Sequence, residues 1–172
     1  QMTTPLEQTP PHDLAAERAL LGSLLRAGAS GDYLLDRVRP TDLYHHGHRA
    51  VLKAIREIRA GGGQPDLVLL AGRLRAAGLE HPDEVASAIE TITPTAANLD
   101  RYAEEVLRLS RLRSGAEACH RYLERVADSP DDEAALPELQ AQLAQVREQG
   151  RRDETPDELI EDELGALQGE VL

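Results

Sequence analysis

Residues 95–150 read TAANLDRYAEEVLRLSRLRSGAEACHRYLERVADSPDDEAALPELQAQLAQVREQG, and this stretch decides the fold. From Thr95 to about Ala127 no proline intervenes and Gly115 is the lone glycine. Leu99, Tyr102, Val106, Leu109, Leu112, Leu123 and Val126 form an intermittent apolar stripe, and the spacing predicts one long helix in which a bend would fall at Gly115. Ser129-Pro130-Asp131-Asp132 is a turn. Leu136, Leu139, Leu143 and Val146 then restart a three- to four-residue period up to Gly150, with Pro137 in the first turn, where its missing N–H matters least. Two long helices joined by a short turn lie antiparallel and make a hairpin. A hairpin buries only one stripe of each helix, so the remaining apolar positions need a third surface, expected to be another chain. The interface candidates are Leu109, Leu112, Arg113, Leu139, Leu143 and Val146.

Upstream, the same periodicity predicts a helical head. Asp13 is an N-cap for a helix carrying Leu14, Leu20, Leu21, Leu24 and Leu25, ended by Gly28. A short helix covers Asp32 to Val38 before the breaker Pro40. Another runs from His48 to about Ala60, with Val51, Leu52, Ile55 and Ile58 on one face. Asp66 caps Leu67 to Ala77, which stops at Gly78, and Pro82-Asp83 open a brief helix bearing Val85, Ile89 and Ile92, closed by Pro94. Thr155-Pro156-Asp157-Glu158 is a capping-box pattern that opens a short acidic helix with Leu159, Ile160, Leu164 and Leu167. With no internal repeat and no β-alternation, the fold class is all-α. The organisation is a flexible tail over 1–9, a head over 10–94, a hairpin over 95–150, and a linker with a short acidic helix over 151–172.

Composition removes several function classes. A formal charge of −12 on 172 residues disfavours nonspecific attraction to phosphate backbones or anionic lipid. Phe and Trp are absent and only four tyrosines are present, so stacking platforms for single strands are scarce and any core must be aliphatic. The one lysine, Lys53, lies in a helical stretch, and no Gly-rich turn ends in Gly-Lys-Ser/Thr, so the chain has no Walker A motif. Gly61-Gly62-Gly63 reads as a turn. One cysteine, the lack of a secretory signal and the lack of a long apolar run read as cytosolic.

Individual signals favour the plain reading. His45, His46 and His48 could offer imidazoles to a metal, which makes a metal-assisted enzyme one rival, but their spacing does not match zinc-ligand patterns and capping and packing account for them. Glu104-Glu105 and Asp131-Asp132-Glu133 read as solvated surface or turn, and no ordered nucleophile, base and orienter emerges. Arg101, Arg108, Arg111, Arg113, Arg121 and Arg125 resemble a basic track, yet Glu104, Glu105, Glu117 and Glu124 stand at pairing distance along the helix. Cys119, in mid-helix, reads as a small buried hydrophobe rather than an activated thiolate.

Taken in order, Pro10-Pro11-His12, Ala16-Glu17, Leu21-Gly22-Ser23-Leu24-Leu25, Asp42-Leu43-Tyr44 and His48-Arg49-Ala50-Val51 form a recognisable series. Pro65-Asp66-Leu67, Leu74 with Gly78, and Pro94-Thr95-Ala96-Ala97-Asn98-Leu99 leading to Tyr102-Ala103 continue it. From about Pro10 to Arg147 the chain resembles the N-terminal domain of the DnaB-type replicative DNA helicases of bacteria. The resemblance implies a helical head and hairpin that associate into a collar on a hexameric ring, dock primase or a helicase loader, and connect through a linker to a RecA-like motor. The full-length protein it implies is an ATP-dependent 5'-3' DNA helicase. ATP and Mg are expected only in that motor, so this chain is expected to be noncatalytic and without cofactor. Expected partners are a second copy, as a dimer or within the ring, and primase or a loader, with no direct nucleic-acid binding and no membrane; the expected location is cytoplasmic. The alternative is a free-standing relative that regulates or adapts a replication protein. Where the family commonly has Val-Gly-Gly after the helix ending near Gly78, this chain has Leu79-Glu80-His81-Pro82-Asp83-Glu84-Val85.

Overall fold

Asp13 starts the regular structure: its Oδ1 accepts the N–H groups of Ala15 and Ala16, both at 2.9 Å, two of the donors that a helix start leaves without an intrahelical partner. In the computed structural model, which describes residues 9–91 and 96–153, the helix that follows is α1 (Leu14–Ala27). It stops at Gly28, whose φ of 55° suits glycine. A Cβ there would also stand 2.7 Å from the Gln64 Nε2. The remaining α-helices are α2 (Asp32–Arg37), α3 (His46–Ala60), α4 (Leu67–Ala76), α5 (Pro82–Glu90), α6 (Leu99–Asp128) and α7 (Ala135–Asp153). Short 3-10 turns lie at Gly28–Gly31, Pro40–Asp42 and Ala96–Asn98, and no strand occurs among the described residues. The fold is all-α.

Three local differences from the sequence pattern have physical reasons. The helix expected to begin at His48 begins two residues earlier, because the His45 Nδ1 accepts the Gly47 N–H at 3.2 Å and acts as N-cap. α7 continues through Arg151–Asp153, where a linker is expected. Gly150 costs a helix only about 1 kcal/mol, and arginines suit the negative end of the helix dipole. Where the sequence departs from the family's glycine pair, His81 sits in the left-handed region at φ 54° and precedes α5 without a side-chain cap. Ile92, Pro94, residues 1–8 of the tail, and the acidic stretch from Glu154 onward lie outside the described residues.

The chain divides into two compact units, Gln1–Leu112 and Arg113–Leu172, and the division falls within α6. The core of the first unit is wholly aliphatic. Leu20, Leu21 and Leu24 of α1, Val51, Leu52 and Ile55 of α3, Leu70 and Leu74 of α4 and Ile89 of α5 are all buried. Leu99, Ala103, Val106 and Leu107 join them, so the first half of α6 belongs to this core. Polar clamps at its rim fix the angles. Arg59 holds Asp32 with two hydrogen bonds of 2.8 and 2.7 Å, and Arg56 donates to the carbonyls of Leu35 and Val38 at the end of α2. The Tyr33 hydroxyl donates to Asp100, and the Ser110 hydroxyl to Asp42, both at 2.8 Å.

One polar cluster is buried. Glu17 on α1 and His48 on α3 are 2% and 5% exposed, and the Glu17 carboxylate accepts the backbone N–H groups of Tyr44 and His45 and the His48 Nδ1–H, the last at 2.7 Å. Burial pushes the Glu17 carboxyl up, but these hydrogen bonds and the facing His48 outweigh it and hold the group below its ordinary value. The carboxylate thus supplies acceptors where the start of α3 would leave donors bare. His12 stacks on Tyr44 with ring centroids 4.2 Å apart, so Pro10-Pro11-His12, Glu17, Tyr44 and His48, scattered in sequence, meet at one place.

Removing one partner of a buried pair leaves the other unsatisfied. Glu17→Ala is therefore expected to lower stability by about 3 kcal/mol in urea unfolding followed by helicity; an unchanged midpoint would contradict the role given to this carboxylate. A second prediction concerns pH. Burial, then the nearby His48 and His46 charges, lower the His45 pKa, with Glu17 opposing and Arg18 adding to the effect, and a protonated Nδ1 could no longer accept the Gly47 N–H. A histidine held below its ordinary 6.5 favours the fold above that pH and loses its contribution as pH falls. The wild-type urea midpoint should therefore drop between about pH 7.5 and 5.5 by more than that of His45→Asn, which caps without titrating. Parallel curves would refute the assignment. The Glu17 contribution follows the same sign and disappears only below its ordinary 4.5.

Candidate functional site

The histidines are engaged in structure: His45 caps α3 and His48 pairs with Glu17. Among the described residues no group of three or more His, Cys, Asp or Glu side chains is placed to hold a metal ion. The chemistry available to the second unit is that of a surface, and its geometry follows from the hairpin.

Within that unit, Arg121 donates to Gln142 at 3.3 Å and Arg125 to Glu138. As the α6 number rises by four the α7 number falls by four, so the two helices run antiparallel. Asp132 organises the turn: it accepts from the Arg125 Nε at 2.5 Å and from the Ala134 N–H at 3.0 Å. The Arg125 guanidinium and the Ala134 N–H hold its carboxyl below the usual aspartate value. Ala118, Tyr122 and Arg125 on α6 and Ala135, Leu139 and Gln142 on α7 line a shared shallow groove. From residue 113 to 151, only Ala118 and Ala135 are buried. Tyr122 and Leu139 beside them are only half-buried, so the seam hides less apolar surface than the two helices carry.

Helical geometry then sorts the hairpin into two sides. At about 100° per residue, Arg121 and Arg125, counted from Ala118, and Glu138 and Gln142, counted from Ala135, lie about 20° to 60° round in one sense. Equal offsets on facing antiparallel helices fall on the same side, as their hydrogen bonds show. About 60° to 140° round in the other sense lie Gly115, Cys119, Leu123 and Val126 on α6 and Leu136, Gln140, Leu143 and Arg147 on α7. This second side contains no acid, and Arg147 is its one charge among these positions. Leu123, Leu136 and Leu143 on it are 56%, 50% and 38% exposed.

The sequence candidates separate accordingly. Leu143 lies on the apolar side, whereas Leu139 lines the groove between the helices and Val146 is half-buried on α7, as is Arg113 on α6. In the first unit Leu109 is 8% exposed and offers little surface, while Leu112 is 48% exposed. Leu123 and Leu136, not among the candidates, are the more open positions; the signal that finds them is their offset from the buried alanines. Cys119 is exposed, not buried as expected, because the apolar side has no neighbour within the described chain. Arginine pairing holds for Arg108 with Glu105 and Arg121 with Glu117, but Arg125 bridges the hairpin and Glu124 pairs with His120 instead.

Comparison with known proteins places this geometry. The family model "DnaB-like helicase N terminal domain" matches residues 9–108. The replicative DNA helicase DnaB of Leifsonia xyli subsp. xyli is 34% identical over 119 residues, 65% of this chain and 25% of that protein. The replicative DNA helicase DnaB of Mycobacterium leprae is 32% identical over 145 residues, 81% of this chain and 24% of that protein. The crystal structure of the N-terminal domain of DnaB helicase from Mycobacterium tuberculosis superposes with a TM-score of 0.68 at 30% identity, covering 80% of this chain and 99% of that one. The chain spans about a quarter of the length of the curated relatives it matches. Family model, relatives and solved fold agree, and the chain belongs to the DnaB-like helicase N-terminal domain family.

Proposed function

We propose that this chain is the noncatalytic collar domain of a replicative DNA helicase, which builds the ring by self-association through the hairpin and docks primase or a loader. The observation that carries the reading is the acid-free apolar side of a two-helix unit whose only buried residues, among those described, are two alanines. An antiparallel hairpin with one sticky side and one salt-bridged side suits a two-fold pair, in which the same patch serves both copies. Its mechanism is geometric: contacts between hairpins fix protomer spacing and so hold motor domains in phase. ATP and Mg act in the motor, and the collar contributes no step of the chemistry.

Light scattering across protein concentration tests this. The wild-type chain should rise from monomer toward dimer mass, Leu123→Glu and Leu143→Glu should weaken the association by about tenfold or more, and Arg121→Ala on the opposite side should leave it unchanged. Helicity measured alongside separates lost association from lost folding. A wild-type monomer at every concentration, or well-folded Leu123→Glu and Leu143→Glu variants that associate like wild type, would refute the seam.

A further inference from the structure

We propose that α3 carries a docking surface for an acidic helix of a partner protein, formed by a stripe of three cations, Arg49, Lys53 and Arg56. The inference stands on the first unit alone and does not use the hairpin seam.

Spacing puts the three on one line. At about 100° per residue they fall within about 60° of the α3 circumference and span about 10 Å along its axis. Arg49 and Lys53 are exposed and Arg56 is half-buried. Neutral groups hold the two arginines in place. The Arg49 Nε donates to the Leu43 carbonyl at 2.6 Å, and the Arg56 Nη1 donates to the Leu35 and Val38 carbonyls at 2.5 and 3.2 Å. Carbonyls orient a guanidinium without cancelling its charge, and each guanidinium keeps further N–H donors for a second acceptor. Neighbouring acids are committed elsewhere. Glu57, the one acid of α3, pairs with Arg73 of α4 at 3.6 Å, and Asp32 is held by Arg59. Asp42 accepts the Arg39 N–H and the Ser110 hydroxyl. Asp36, exposed on α2, forms no ion pair with the stripe.

Holding the last carbonyls of α2 accounts for Arg56. It does not account for Lys53, the only lysine of the chain, which makes no hydrogen bond or ion pair among the described residues. A row of uncancelled cations in a chain of net charge −12 is a local reversal of sign, and charge complementarity names the occupant. Intervals of four and three residues match carboxylates that recur at the same intervals along a facing helix. Guanidiniums already oriented lose little freedom on pairing. Nucleic acid fits less well: a duplex carries one charge per about 1.7 Å, so its charges run on past the stripe into the field of an acidic protein. The stripe also offers no aromatic face to a single strand.

Fluorescence anisotropy on the full chain tests this with three labelled probes. The first is a helical peptide with glutamates at four- and three-residue intervals on one face, the second a peptide of the same composition with its glutamates spread around the helix, the third a single-stranded oligonucleotide. The one-faced peptide should bind wild type about tenfold more tightly than either of the others, and its affinity should fall as salt rises from about 0.05 to 0.3 M. Lys53→Glu should weaken it by about tenfold. Arg121→Glu changes the net charge equally, leaves the stripe intact and should bind like wild type. Circular dichroism checks that both variants fold. No binding of the one-faced peptide below about a millimolar, or equal binding to wild type and a folded Lys53→Glu, overturns the proposal. Tighter binding of the oligonucleotide overturns it in favour of a nucleic-acid surface. In light scattering Lys53→Glu should self-associate like wild type, so the seam and the stripe fail separately; loss of association in this variant would make the occupant a second copy and overturn the assignment.

Discussion

Two helices joined by a tight turn can bury only the stripe along which they meet, and in this hairpin the fully buried part of that stripe, among the described residues, is Ala118 and Ala135, with Tyr122 and Leu139 half-buried beside them. The proposed association rests on that imbalance. Leu123, Leu136 and Leu143 remain open to water although each side chain gains on the order of 2 kcal/mol when fully covered. On the other side Arg121 pairs with Glu117, and Arg125 with Asp132 and Glu138. The hairpin therefore has one side that carries its salt bridges and one apolar side left open, and the proposed association uses the second.

The first unit is built on a different principle. Its core is aliphatic throughout, and the first half of α6 is locked into it by Leu99, Ala103, Val106 and Leu107. At its centre the Glu17 carboxylate replaces water for two backbone N–H groups and a histidine. Such a buried polar knot contributes little net stability when intact, but alternative packings that leave it half-satisfied are costly. The head is thereby held to one arrangement of α1 against α3.

Much of the fold was legible because periodicity and caps act locally. Asp13, Asp66 and Gly28 mark boundaries through hydrogen bonds and a dihedral angle that depend on a few neighbours, and Val51, Leu52, Ile55 and Ile58 share one face by spacing alone. What the sequence could not display were pairings across long separations. Glu17 and His48 are 31 residues apart in the chain, and neither one's local spacing announces the other. Spacing pairs Arg125 with neighbours on its own helix, whereas the hairpin turn brings Asp132 and Glu138 to it. Cys119 was misplaced for the opposite reason: an apolar position in mid-helix is buried only if something packs there. Of the interface candidates, Leu143 was readable as surplus apolar surface, while Leu123 and Leu136 needed the buried alanines as a reference direction. Family likeness is legible because several short fragments keep their order along the chain, and Pro10-Pro11-His12, Glu17, Tyr44 and His48 among them meet at the polar knot.

Whether a second copy occupies the apolar side is tested most directly by a distance between copies. A nitroxide attached to Asp131→Cys at the hairpin turn, in a Cys119→Ser background, reports that separation by pulsed dipolar spectroscopy without touching either side of the hairpin. One narrow inter-copy distance is expected, growing in amplitude with protein concentration and vanishing in Leu143→Glu. Absence of dipolar coupling up to the highest soluble concentration, in a protein that remains fully helical, would contradict it.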